Sequence, residues 1–333
     1  MEQRLKYIDI AKGIGIIMVV LSHTDYSNLI HYALSFYVPI FFLCSGYTTS
    51  SKTTQINFKE NFKKHAIKLI KPYIFFSIIL VFIFQQFYLQ GIIGIIYSRY
   101  CLYPFGSPEL YRFLINGNYP LWFLTCMIVS YYLFYLLIYN SKWQYYLVSL
   151  YIIITLMLSY LPILLPWSID TAFYMALFMF TGMQIRYNCD LYTSKKPHPL
   201  IILSILTYIL LLPFCDNINL SVREYGLSIA TCFIAGLTGC IAIIFIARLL
   251  EGTIIGKGLQ LIGKHSLTIF CIEIPFIVLI GRPIATFFLS NVSSSLELTQ
   301  ICTALIEAAV ACLGGLSLSA LLHKNERVRK LIY

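Results

Sequence analysis

Acidic side chains are scarce in this chain. Asp and Glu together number 14 among 333 residues, and charged residues of both signs make up only 11% of the sequence. A soluble globular protein carries about 25% charged residues. Hydrophobic residues make up 59% of the chain, so the scarcity of charge argues against a soluble enzyme or soluble binding module. The composition therefore predicts that almost the whole chain lies in a lipid bilayer.

Cysteine pairs of the CxxC type and internal repeats are also missing. The ten cysteines are scattered, mostly within apolar runs, so we expect small buried hydrophobic residues and neither a disulfide framework nor a metal site. The first apolar segment runs into a polar His-Thr-Asp without a cleavage site, unlike a signal peptide. Because no stretch resembles a separate soluble domain or linker, residues 1–333 are predicted to form a single membrane-embedded domain.

Ten apolar segments are long enough to span a membrane, for which a helix needs roughly 17–25 residues. They are approximately 8–23, 30–50, 69–89, 120–139, 144–162, 167–186, 199–215, 225–249, 265–281 and 298–321. The predicted fold is therefore all-α, a polytopic membrane protein with about ten transmembrane helices. The basic segment 51–68 is expected to lie on the membrane surface or to cap the cytoplasmic mouth.

The positions of the basic residues predict the orientation. With the N-terminus in the cytoplasm, inner regions hold twenty Lys and Arg residues, and outer regions hold only Arg99, Arg112, Arg223 and Arg282. Cytoplasmic loops carry such an excess, so both termini are predicted to be cytoplasmic and the protein to be a multi-pass protein of the cell (inner) membrane. The net charge of +10 then reflects topology and anionic lipid, and we expect no nucleic-acid partner.

The first span combines charge at its start with a histidine at its end. Asp9 and Lys12 lie in its first turns, and His23 follows eleven residues after Lys12, which is roughly 16 Å along a helix. A neutral imidazole near pH 7 can take a proton from a hydroxyl, so His23 is a candidate general base. The alternative is an interfacial histidine that merely ends a helix. Asp25 is a weaker candidate partner, because residues i and i+2 do not face each other on a helix.

A few other side chains could support chemistry. Lys68 and Lys71 lie at the start of the third span, and with Lys12 they form a predicted binding site for a phosphate-bearing ligand. The alternative is that these lysines only flank the spans or extend towards the lipid headgroups. Glu273 lies mid-span, two residues before Pro275, where a freed backbone carbonyl favours a polar pocket. Trp122 enters the fourth span, either as an interfacial belt residue or as a sugar platform.

Five motifs in order resemble the acyltransferase-3 family of membrane acyltransferases, and in particular its fucose 4-O-acetylase-like branch. They are Lys12 with ten intervening residues and His23, Val38-Pro-Ile-Phe-Phe-Leu-Cys-Ser-Gly-Tyr47, Lys68-x-x-Lys71 followed by Pro72, Leu121-Trp-Phe-Leu124, and Gly263-Lys-His-Ser-Leu-Thr-Ile-Phe270. The resemblance covers the whole chain. Lysines replace the commoner arginines of the family, and Glu273 lies where many members have a histidine.

The resemblance implies a membrane O-acyltransferase, expected to be an O-acetyltransferase. Acetyl-CoA or another acyl-CoA would be the cytosolic donor, without a metal, and the acceptor would be a hydroxyl of an envelope or exported glycan or glycolipid, hence polysaccharide modification. It implies His23 as the catalytic residue, Lys12, Lys68 and Lys71 at the coenzyme A, and Asp9, Glu273 and Trp122 as supporting groups. The sequence does not define the acceptor, the acyl chain or the oligomeric state.

Two other functions fit ten spans with sparse buried charge. A transporter or flippase for a lipid-linked glycan or small solute is the main alternative, although such proteins often contain paired internal repeats with broken helices. A non-catalytic scaffold in glycan assembly would tolerate changes at both Lys12 and His23. Binding of acyl-CoA separates the enzyme from the transporter.

Overall fold

The chain folds almost entirely into helices. The structure is a computed structural model, and it describes residues 5–24, 35–49, 57–104, 120–189, 191–192, 196–289 and 296–332. The helices are α1 (Lys6–Ser22), α2 (Pro39–Tyr47), α3 (Phe58–Ile83), α4 (Leu89–Tyr97), α5 (Trp122–Tyr139), α6 (Gln144–Ser159), α7 (Ile169–Gln184), α8 (Pro199–Leu211), α9 (Ile229–Leu250), α10 (Ile254–Lys264), α11 (Ser266–Phe276), α12 (Arg282–Leu289), α13 (Leu296–Lys324) and α14 (Glu326–Ile332). A two-stranded antiparallel ribbon pairs β1 (Ile218–Asn219) with β2 (Glu224–Tyr225). The predicted all-α class is confirmed.

Several helices are suited to an apolar medium. Five helical segments of the described chain are long and apolar enough to cross a membrane, namely Phe58–Ile83, Trp122–Tyr139, Ile229–Leu250, Ser266–Leu289 and Glu297–Lys324. Two shorter apolar helices cover Gln144–Ser159 and Pro199–Phe214. Each of the ten predicted segments overlaps a helix of the structure. The number of ten spans and the cytoplasmic termini stay predictions.

Helix α3 begins well before the predicted third span. The side chain of Asn57 caps it by accepting a hydrogen bond from the Lys59 N–H at 3.1 Å. The rings of Phe58 and Phe62 pack edge-on against Tyr132 of α5, with centroids 5.4 Å apart in both pairs. The segment from 58 to 68 is therefore not a separate surface element, because a cap and an aromatic cluster continue the helix through it.

The described chain forms two compact units. Unit 1 comprises Met1–Phe41, Leu191–Asp216 and Ala230–Arg329, and unit 2 comprises Phe42–Asp190, Asn217–Ile229 and Lys330–Tyr333. In unit 1, α1 packs against α10, α11 and α13, and α11 packs against α13. In unit 2, α5 packs against α3, α6 and α7. The predicted single domain stays a prediction.

A buried cluster of three charged side chains holds part of unit 2 together. Arg99, Asp170 and Arg223 are only 1%, 0% and 6% exposed. Arg99 donates a hydrogen bond to Asp170, and Nε of Arg223 lies 3.2 Å from Oδ2 of the same carboxylate. The backbone N–H groups of Leu165 and Thr171 also donate to Asp170, at 3.0 and 2.9 Å. The carboxylate is thus surrounded by donors, as a buried charge requires.

The two guanidinium groups also tie down nearby backbone. They donate to carbonyl oxygens at the end of α6, in the loop before α7 and beside the β-ribbon, namely those of Leu158, Leu161, Ile163, Leu165 and Ser221. Arg223 and Ser168 have left-handed backbone, with φ of 62° and 56°, and such residues cost about 1–3 kcal/mol each. The contacts of the ion cluster offset that cost. We therefore interpret the cluster as a structural link between the end of α6, the loop before α7 and the segment beside the β-ribbon.

Replacing Asp170 by Asn is expected to destabilise the protein strongly. The substitution leaves two arginines buried without their anion, and breaking a buried pair in this way costs about 3–5 kcal/mol. The measurement is the melting temperature of the purified protein in detergent. The control is Glu251→Gln, which breaks a partly exposed pair with Arg248 and should change stability by at most about 1 kcal/mol. Equal melting temperatures for the two variants would contradict the structural role of the cluster.

Candidate active site

Helix α1 presents His23 at its C-terminal end. The helix is continuous from Lys6 to Ser22, and His23 caps it, donating its backbone N–H to the carbonyl of Val20 at 3.1 Å. One face of its apolar centre, which includes Ile16 and Val20, is buried. The imidazole of His23 is 14% exposed. The helix therefore holds the ring at a defined height in unit 1 while leaving part of it accessible.

Close packing against α10 fixes the first half of α1. A Cβ atom added to Gly13 would lie 2.1 Å from the carbonyl oxygen of Leu259, and one added to Gly263 would lie 1.8 Å from that of Asp9. The obstacles are backbone atoms, which cannot rotate away as a side chain can. Only glycine at both positions lets the two helices approach this closely. The position of α1, and with it the position of His23, depends on this contact.

Helix α11 carries the carboxylate that meets His23. Glu273 is fully buried, and Pro275 lies two residues further along the same helix. After Phe276 the backbone changes to a π-helical segment, Ile277–Gly281, before it continues as α12. Proline lacks the N–H that continues the regular ladder, and such π segments are frequent at functional sites. The irregularity in this candidate span therefore lies directly beside its buried carboxylate.

The structure brings His23 and Glu273 together. Nδ1 of His23 lies 2.8 Å from Oε1 of Glu273, although the residues are 250 positions apart in the chain. With Nδ1–H donating to the carboxylate, Nε2 retains its lone pair and can accept a proton. A positive charge on the ring would then be stabilised by the adjacent carboxylate. The pair has the arrangement of a general base and its orienting acid.

The second carboxylate oxygen of Glu273 is also notable. Oε2 is buried and has no hydrogen-bond partner among the residues that the structure describes. A buried polar atom without a partner costs free energy of about 1–3 kcal/mol. Such an atom calls for a further hydrogen-bond donor, for example a water molecule.

The other predicted site residues are distributed over both units. Asp9 is buried and Lys12 is half-buried, both on α1 in unit 1. In unit 2, Lys68 is exposed on α3 and Lys71 donates to the carbonyl of Lys330 at 3.0 Å. Since Lys12 belongs to unit 1 and Lys68 and Lys71 belong to unit 2, the predicted phosphate-binding site stays a prediction.

The two remaining candidate residues are Trp122 and Asp25. Trp122 is the first residue of α5 and is only 7% exposed, so its ring is buried within unit 2 rather than displayed on a surface. Asp25, the weaker candidate partner of His23, lies outside the described residues.

The sequence pointed to each member of the His23–Glu273 pair but not to their contact. Glu273 stood out as a carboxylate in the middle of an apolar run, yet no spacing rule joins it to His23. A second buried carboxylate, Glu307 of α13, has Oε1 3.5 Å from Nε of Arg282. The sequence offered Glu273 as a supporting group, but it did not identify the carboxylate that contacts the histidine.

Comparison with known protein families identifies the class of the protein. The family model Acyl_transf_3, described as an acyltransferase domain, matches residues 5–324. The chain belongs to this acyltransferase family and is an acyltransferase. With its long apolar helices it is a multi-pass membrane protein. No curated protein and no solved structure is significantly similar to the chain. Family membership favours the enzyme over the transporter or the scaffold.

Substitution of Gly263 by Ala is expected to destabilise the protein by about 1–3 kcal/mol, because the new methyl group meets backbone and forces α1 and α10 apart. Gly258 on the same helix offers a matched control, since a Cβ there meets nothing within 4 Å. Gly258→Ala should stabilise the helix by up to about 1 kcal/mol. Thermal unfolding in detergent measures both changes. A destabilisation of the same size in both variants would contradict the role assigned to close packing.

Proposed function

We propose that this protein is a membrane O-acyltransferase in which His23 is the general base and Glu273 orients it. It would transfer an acyl group, expected to be acetyl, from cytosolic acyl-CoA to a hydroxyl of an envelope or exported glycan or glycolipid. The proposal includes ten spans, cytoplasmic termini, location in the cell membrane and the fucose 4-O-acetylase-like branch of the family. The single observation that supports it most is the 2.8 Å contact between His23 Nδ1 and Glu273 Oε1.

The proposed step follows from the tautomer that this contact favours. Nε2 of His23 takes the proton of the acceptor hydroxyl as its oxygen adds to the thioester carbonyl carbon. The ring becomes positively charged, and the carboxylate of Glu273 lies beside it. The carbon–sulfur bond then breaks, and the departing thiolate takes the proton from Nε2. Thiol and ester are the products, and His23 and Glu273 return to their starting states.

The geometry of α1 supports a donor that enters from the cytoplasmic side. The helix is continuous between Lys12 and Ser22, so Lys12 and His23 are separated by roughly 16 Å along its axis. An extended pantetheine arm is about five residue-lengths, or roughly 16–18 Å. Phosphates near Lys12 would thus allow the thioester to reach His23. Lys68 and Lys71 are the proposed cations of unit 2 for the same ligand.

Loss of His23 is expected to abolish turnover without abolishing donor binding. His23→Ala should lower thiol release from acyl-CoA, in the presence of a glycan acceptor panel, by about 10²- to 10⁴-fold. Glu273→Gln should lower it by at least about tenfold, because the amide cannot stabilise the charged ring. The measurement is free-thiol release by purified protein in detergent, with acyl-CoA binding measured in parallel.

The matched control is Glu307→Gln, which removes another fully buried carboxylate of unit 1. It should retain turnover if its melting temperature is close to that of the wild type. Wild-type turnover by His23→Ala would overturn the proposal. A mass increment of one acyl group on His23, found without acceptor, would replace direct transfer by an acyl-histidine relay.

The lysines are expected to act on donor affinity rather than on the chemical step. Lys12→Ala, Lys68→Ala and Lys71→Ala should each raise KM for acyl-CoA by about tenfold, equivalent to ~1.4 kcal/mol, with kcat nearly unchanged. Added salt should weaken binding by the wild type more than by the variants. Lys142 provides an exposed control, and Lys142→Ala should leave KM unchanged. If Lys142→Ala raised KM for acyl-CoA equally, the three lysines would act only through the general positive charge of the surface, which would contradict a specific binding role.

A further inference from the structure

Helix α10 lies in the chain between two helical segments that are long and apolar enough to cross a membrane. Three residues separate it from Leu250 at the end of α9, and His265 alone separates it from α11. The neighbouring candidate spans are Ile229–Leu250 and Ser266–Leu289. With 11 residues, α10 is about 16 Å long, too short for a hydrocarbon core of about 30 Å. Its short connections therefore keep α10 near the ends of the two spans.

Close contacts within unit 1 bring a third helix end to α10. A Cβ added to Gly256 would collide with the carbonyl oxygen of Leu250, and one added to Gly263 would collide with that of Asp9. Asp9 lies in the first turn of α1. The end of α9, the start of α11 and the start of α1 are thus all next to α10. Helices that span a bilayer end near its surface, so this arrangement places α10 at a membrane surface.

The two sides of α10 differ in size and in charge. The side that packs against α9 and α1 carries Gly256 and Gly263, which are both buried. Residues three, four or seven positions apart share one side of a helix. The other side of α10 is exposed and carries four large side chains at this spacing, namely Ile254, Lys257, Leu261 and Lys264. These four residues are called the exposed face of α10.

The exposed face combines apolar surface with positive charge. Ile254 is 89% exposed and Leu261 is 50% exposed, so both side chains would gain free energy in an apolar medium. The sequence of α10 contains no acidic residue, and the acidic residue just before it, Glu251, forms an ion pair with Arg248. The two lysines therefore make the exposed face cationic.

These properties select one partner. The surface of a bilayer offers acyl chains to apolar side chains and, a few ångströms away, phosphate groups to cations. A symmetric contact with a second copy of the chain would instead bring the same two lysines of each copy together, and like charges repel. Lysine side chains can also extend from an apolar surface to the headgroups above it.

We propose that the exposed face of α10 is a docking surface for anionic phospholipid. Lys257 and Lys264 bind headgroup phosphates, and Ile254 and Leu261 enter the acyl-chain region. The helix is formed before lipid binds, because the hydroxyl of Thr253 caps it by accepting a hydrogen bond from the Gly256 N–H at 2.9 Å. One side of α10 thus holds α1 through glycine contacts, while the other side binds the membrane surface.

The first test is a lipid titration of the full chain purified in detergent. Phosphatidylglycerol in mixed micelles should raise the melting temperature, because a ligand that binds the folded state stabilises it, and phosphatidylcholine should raise it less. Each lysine near an anionic surface contributes about 1 kcal/mol. The double variant Lys257→Gln with Lys264→Gln should therefore raise the half-saturating mole fraction of phosphatidylglycerol by about 10- to 30-fold.

The matched control removes two exposed lysines elsewhere, by Lys142→Gln together with Lys324→Gln. It should leave the half-saturating mole fraction unchanged. An equal loss in both double variants would overturn the proposal, because only the total charge of the protein would then matter. Equal stabilisation of the wild type by inorganic phosphate would also overturn it, since the site would not need a lipid.

A second measurement tests the apolar half of the face. In nanodiscs that contain phosphatidylglycerol with brominated acyl chains, the fluorescence of Ile254→Trp should be quenched more than that of the wild type, which has three tryptophans. If this variant does not fold, Ile255→Trp provides the neighbouring position, where the isoleucine is 67% exposed. Quenching equal to that of the wild type would place the face outside the bilayer and overturn the proposal.

A different occupant has its own signature. If a second copy covered the exposed face, the purified protein would have the mass of two chains in detergent, and Ile254→Lys would reduce it to one. That result would overturn the lipid assignment. None of these measurements uses acyl-CoA or turnover, so the outcome for α10 is independent of the proposed function of His23 and Glu273.

Discussion

Charge inside an apolar medium must be paired, and this constraint organises both units of the protein. An ionisable side chain costs about 2.5–3.5 kcal/mol on insertion into a membrane, so each one present needs a partner. In unit 2, Asp170 accepts hydrogen bonds from Arg99 and from two backbone N–H groups, and it forms an ion pair with Arg223. In unit 1, Glu273 meets a single ring nitrogen of His23. Asp170 is thus surrounded by donors, whereas Oε2 of Glu273 has no hydrogen-bond partner among the described residues.

The His23–Glu273 pair depends on packing that is remote from it. Gly13 on α1 and Gly263 on α10 bring two backbones into contact, and α11 packs against both α1 and α13. Each contact restricts the motion of the helices that carry His23 and Glu273. A general base works only when its reacting atom is held in place before the substrate arrives. Small residues far along α1 thus help to fix the position of His23 at its end.

Sequence reasoning went furthest where a local rule exists. Hydrophobic run length located the long apolar helices but not α10, α12 or α14. Five ordered motifs indicated the family that the chain belongs to. Boundaries were less accurate, as α3 shows, because Asn57 and the packing of Phe58 extend it beyond its apolar core. His23 and Glu273 were each singled out as polar groups in apolar surroundings.

The sequence by itself determined the medium, the helical class and the list of costly polar groups. Each of these is a property of composition or of spacing within one segment, and burial in lipid acts on every segment separately. Only the tertiary structure decided which groups are partners. His23 and Glu273 are 250 residues apart, and Asp170 lies between arginines that precede and follow it in the chain. Such pairings arise when helices pack against one another, and no rule of local spacing encodes them.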